Sequence, residues 1–127
     1  MTVSSPAATV RARMADLIDG GGPADIAFAQ RLLLSFLERQ SKLLGDLADA
    51  IDGTDPDATA RHAHTLKGAA GNVGAAAVAD LCAEAEQLAD TRAWTELARY
   101  PDVLRAALAE AAEHLAQAVT ELRTVSG

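Results

Sequence analysis

Aromatic residues make up only 3% of this 127-residue chain. A core built almost without them must rest on aliphatic side chains, here mostly alanine and leucine, which favour helix over strand. Runs of β-branched residues, the usual mark of a sheet, are missing as well. A single cysteine, Cys82, excludes an internal disulfide and fits a reducing compartment. No apolar run approaches the roughly 18 residues of a membrane span, and no basic-then-apolar signal pattern opens the chain. Positive charge is also short. A net charge of −7 and a pI near 4.8 argue against nucleic acid or an anionic membrane as the main partner. The histidines and acids lack the ligand spacing of a zinc site, so no metal and no cofactor is expected. What remains is one acidic, cytoplasmic, all-α domain, monomeric by default because its helix faces are needed for the core.

Capping signals divide the chain into helices. Ser5 followed by Pro6 opens a short helix to about Asp19, with Val10, Met14, Leu17 and Ile18 on one face. Gly20-Gly21-Gly22-Pro23 ends it and starts a second helix that reaches about Asp52. Ile26, Ala29, Leu33, Phe36, Leu43, Leu47 and Ile51 keep a period near 3.6 along that helix. Gly53 is placed to end it in a left-handed conformation. Asp55-Pro56-Asp57 is the clearest helix start in the chain, and that third helix stops at Gly74. A fourth runs from about Ala75 to Asp90. Thr91 can start a last segment to about Thr124, in which Pro101 either kinks one long helix or begins a second. Short connections point to an antiparallel, up-and-down four-helix bundle with a short extra N-terminal helix. The expected divisions are an N-terminal segment over 1–22, the bundle over 23–124 and a frayed C-terminus over 125–127. The starting Met1 and the frayed ends fit a stand-alone protein.

The unusual stretch is 60–74, ARHAHTLKGAAGNVG. Three glycines sit where this alanine-rich chain had a better helix former available, and each helix-interior glycine costs roughly 1 kcal/mol. At about 100° per residue, Thr59, Ala63, Leu66, Ala70 and Val73 supply the core face. Ala60, Lys67, Gly68 and Gly71 fall within about 60° of His64, with Arg61 at the edge of that sector. His64 is thus predicted to stand in solvent, among small residues, between two cations. A solvent-facing imidazole is largely neutral and nucleophilic at cellular pH. Open approach and flanking positive charge suit acceptance of a phosphoryl group on nitrogen. No second base or carboxylate pair accompanies His64, so hydrolysis is not indicated. His62 lies some 160° away on the wheel and reads as a rim residue. His114 reads as a surface residue, Cys82 as a buried small hydrophobe, and Trp94 and Tyr100 as packing residues.

HTLKGAAGNVG, from His64 to Gly74, fits the H-x-x-K-G-x-x-x-x-x-G signature of the histidine phosphotransfer (HPt) domain family of multistep phosphorelays. LCAEAEQ, from Leu81 to Gln87, resembles that family's next helix, and the resemblance spans roughly residues 23–122. It implies that His64 carries a phosphoryl group between aspartyl-phosphate receiver domains of response regulators, with a hybrid sensor histidine kinase as a further candidate partner. It implies that Lys67 steadies the phosphate, with Arg61 as a second candidate, and that Gly68 gives a receiver room to approach, with Gly71 as a further candidate. Glu86 aligns with a position whose side chain bonds the imidazole, often a glutamine. Magnesium would belong to the receiver, and the chain would be a phosphocarrier without an ATP site, not an enzyme. Two other readings compete. One is a helical adaptor with no phosphate chemistry; the other is the amino-terminal, P1-type domain of a chemotaxis-like kinase.

Overall fold

A computed structural model describes residues 5–18 and 22–126 of the chain. Six helices follow in order: α1 (Pro6–Leu17), α2 (Pro23–Asp52), α3 (Pro56–Asn72), α4 (Ala76–Asp90), α5 (Trp94–Leu97) and α6 (Tyr100–Ser126). No strand occurs among the described residues. The capping residues act as their chemistry predicts. The Ser5 hydroxyl accepts from the Ala8 amide at 3.1 Å, and the Asp55 carboxylate accepts from the Ala58 amide at 3.0 Å, each satisfying an orphan donor at a helix start.

The four long helices close into a ring: α2 packs on α3 and α6, and α4 packs on α3 and α6. Leu33 and Leu47 of α2, Leu66 of α3, Cys82 of α4 and Leu104 and Leu115 of α6 are fully buried inside it. The helical bundle read from periodicity is therefore present, and its core is as aliphatic as the composition requires. α1 lies against α6 and also reaches α2 and α4, with Val10 and Met14 buried. α5 bridges α4 and α6, where it buries Leu97.

Several local expectations are corrected. Gly53 does not turn left-handed; it stays at φ −78°, and Thr54 takes the positive angle at φ 48°. The amides of Thr54 and Asp55 then return to the carbonyls of Ile51 and Ala50, closing the end of α2 one residue later than the glycine suggested. Thr91 caps the end of α4 instead of starting a new helix, its hydroxyl donating back to the carbonyls of Gln87 and Leu88. The last segment is split, not kinked. A proline ring clashes with the carbonyl four residues earlier, and for Pro101 that residue is Leu97, the last of α5. α6 continues to Ser126, past the expected end at Thr124. The expected fraying of residues 1–4, and Gly20 and Gly21 of the first connection, lie outside the described residues.

Candidate functional site

α3 carries the candidate site because its two faces differ so sharply. Thr59, Ala63, Leu66, Ala70 and Val73 are all at 0% exposure, which fixes the rotation of the helix about its axis. That rotation turns His64 outward, and its side chain is 73% exposed. The wheel reading holds on both faces.

Lys67 follows one turn later and is only 34% exposed. It leans toward α4, where Glu86 is 27% exposed, and the Lys67 ammonium lies 2.9 Å from Glu86 Oε1. The same oxygen is 3.6 Å from Nδ1 of His64. The expected hydrogen bond from the imidazole to Glu86 is thus not made, because 3.6 Å exceeds hydrogen-bond reach. A full positive charge on a flexible four-carbon stem competes better for a carboxylate than a neutral ring does. Glu86 Oε1 is itself buried, and its contact with Lys67 is ionic in distance but lacks hydrogen-bond geometry. His64, Lys67 and Glu86 therefore form one cluster at the α3–α4 seam. Nδ1 faces the carboxylate, which leaves Nε2 as the outward nitrogen.

The remaining site residues are placed less tightly. Gly68 is exposed, and a Cβ built there meets no atom within 4 Å. Gly71 is equally open. Arg61 is exposed one turn before His64, and its guanidinium makes no ion pair among the described residues. No contact ties it to the cluster. His62 is half-buried, as its place on the wheel required. His114 is not on open surface; it is half-buried where α1 lies over α6, lining a small crevice with Ala7 and Arg11. Tyr100 packs as expected, and its hydroxyl donates to Glu84 at 3.2 Å.

One feature of the surroundings went unread in the sequence. Arg13 of α1 donates through Nε to the carbonyl of Asn72 at 2.8 Å, so the N-terminal helix is tied to the end of the helix that carries His64. Cys82 lies one turn before Glu86 on α4. Burial pushes its thiol up to about 12, the charge on Glu86 adds to the rise, and Lys67 opposes it. Nucleophilic thiolate is accordingly scarce in the folded state. A disulfide reagent at pH 8 is expected to modify Cys82 at least about 100-fold more slowly in the native protein than in urea. Equal rates would mean the thiol is open. The folded thiol holds its proton more tightly than an unfolded one near 9.0. Its contribution to stability is therefore complete below the lower value and is lost as pH rises toward the upper.

Among the described residues, no three His, Cys, Asp or Glu side chains converge as a metal-binding group, and no helix is long and apolar enough to cross a membrane. No curated protein and no solved structure matches the chain significantly. A family model does match. It is that of the Hpt domain, and it covers residues 31–124, from the third turn of α2 through the α3–α4 cluster to the last turn of α6. With most of its length accounted for in this way, and with an outward histidine on a helical bundle, the chain belongs to the Hpt domain family.

Proposed function

We propose that this chain is a histidine phosphotransfer carrier, with His64 as the phosphorylated residue and receiver domains of response regulators as donor and acceptor. In the forward step the lone pair of Nε2 attacks the phosphorus of an aspartyl phosphate. One P–N bond forms, one P–O bond breaks, and the aspartate leaves as carboxylate. The reverse step passes the group to a second receiver. The chain contributes position and charge, not turnover of its own.

The observation that carries this reading is the emptiness around Gly68. Nothing among the described residues prevents a side chain there. An alanine would gain roughly 1 kcal/mol of helix propensity. Its absence makes sense if a second protein must approach the ring next door. Lys67 supports the reading as a cation one turn below Nε2, and Arg61 is a second exposed cation one turn above.

The direct test mixes the protein with a receiver domain carrying labelled aspartyl phosphate. Label should move to this chain and be acid-labile and alkali-stable, as phosphoramidates are. Failure to take label from any receiver of the same cell would remove the proposal and favour a phosphate-free adaptor. Gly68 offers a sharper comparison with Gly45, which opens in the same way onto the α2–α6 groove. Gly68→Ala and Gly45→Ala should each raise stability by about 0.5–1 kcal/mol in urea titrations. Only Gly68→Ala should slow transfer from a receiver, by about 10-fold or more. Equal transfer rates in the two variants would show that Gly68 clears no path.

A further inference from the structure

Glu86 is the part of the cluster that the carrier role does not explain. A site meant to hold a phosphoryl group gains from free cations nearby, yet here the ammonium closest to His64 is already engaged. Lys67 lies 2.9 Å from a buried carboxylate oxygen that forms no properly directed hydrogen bond and that also sits 3.6 Å from Nδ1 of the imidazole. With a neutral ring, the cluster of His64, Lys67 and Glu86 carries no net charge; with glutamine at position 86 it would carry one positive charge. We propose that Glu86 is a charge-setting residue that raises the transfer potential of phospho-His64, biasing the chain toward giving its phosphoryl group away. This rests on the carrier reading above.

The argument is electrostatic. Transfer moves a dianionic phosphoryl group from the receiver's aspartate to Nε2 of His64, beside a carboxylate already facing the ring's other nitrogen. A phosphoryl oxygen can recruit Lys67 only in competition with Glu86. If the ammonium swings to the phosphoryl group, Glu86 Oε1 is left buried without its counter-ion, and leaving a buried charge unpaired is strongly unfavourable. If the ammonium stays, the phosphoryl group has a like charge across the ring while the Lys67 ammonium is occupied. Either outcome raises the free energy of the phosphorylated state, and neither affects the unphosphorylated one.

The test is an equilibrium, because an equilibrium separates charge from damage. A purified receiver domain, phosphorylated with acetyl phosphate and freed of the reagent, is mixed with the wild-type chain or with Glu86→Gln. The ratio of phosphohistidine to phosphoaspartate is read once it stops changing. Glu86→Gln should shift that ratio toward histidine by about three- to tenfold. Disruption of the site would lower acceptance, so a gain of phosphohistidine is a result that a merely structural role would not produce. Glu84→Gln, which loses a carboxylate on the same helix but bonded to Tyr100, should leave the ratio within twofold. Lys67→Ala should move it the other way, toward the receiver. An unchanged ratio in Glu86→Gln, or a shift toward the receiver, overturns the inference while leaving the carrier reading intact. If label reaches neither wild type nor variant, the carrier reading itself falls and takes this inference with it.

Discussion

His64→Gln is expected to abolish phosphoryl acceptance, with label falling at least about a thousandfold, while the protein folds as before. The two halves of that expectation come from the same observation. The His64 side chain is 73% exposed and makes no hydrogen bond among the described residues, so its removal opens no cavity and orphans no buried partner. Glutamine is a better helix former than histidine, so the stability change should stay within about 0.5 kcal/mol. The chemistry, by contrast, has no substitute. His62 is half-buried on the opposite side of α3, and His114 is half-buried between α1 and α6. Lys67 keeps its place but is a charged ammonium held by Glu86, not a free base. Denaturant titration beside a label-transfer assay checks both halves. Peptide mapping of residual label identifies a competing acceptor. Full acceptance by the His64→Gln protein would place the nucleophile elsewhere and end the present reading of the site.

Much of this could be read from the chain because the relevant signals are local. The caps at Ser5 and Asp55 work through bonds to residues three positions on, so the sequence contains both partners. The burial of Leu66 and Ala70 and the exposure of His64 follow from one angular period. What could not be read depends on which helices meet. Glu86 is 22 positions from His64, and whether its carboxylate reaches the ring or the ammonium is decided by the α3–α4 packing, which no periodicity specifies. The Arg13 bond to Asn72 spans 59 positions for the same reason. Thr54 is a different case. Glycine is the usual residue for a left-handed helix end, and the chain has one at position 53, but the hydrogen bonds back to Ala50 and Ile51 put the turn one residue further on. Pro101 left two outcomes open, and the chain takes the split, with α5 ending at Leu97, whose carbonyl a continuous helix would set against the proline ring.

Gly74→Ala should be the most damaging glycine-to-alanine substitution among the described residues, lowering stability by about 2–4 kcal/mol. Two independent costs converge there. The backbone stands at φ 78°, where an alanine costs roughly 1–2 kcal/mol relative to glycine. A Cβ at that position would also lie 2.6 Å from the Thr9 carbonyl oxygen and 2.7 Å from the Arg13 Cβ. The first of these contacts is backbone, so α1 itself must shift to relieve it. That shift would pull Arg13 off the Asn72 carbonyl and loosen the seat of Val10, which is 2% exposed. Gly71, three residues earlier and open where its Cβ would stand, supplies the control, and Gly71→Ala should be neutral or stabilising in the same titration. Hydrogen exchange adds the mechanism: amides of α1 should lose protection first in the Gly74→Ala protein, ahead of those in α3. Eight residues of helix place Asn72, the last of α3, about 12 Å from His64 along the axis, and Gly74 lies beyond it, so under conditions where the variant is folded it should still take label at His64. A stable Gly74→Ala protein with a protected α1 would mean that the first helix does not grip the end of α3. A folded variant that no longer takes label would instead mean that the docking of α1 is felt at the phosphorylated residue.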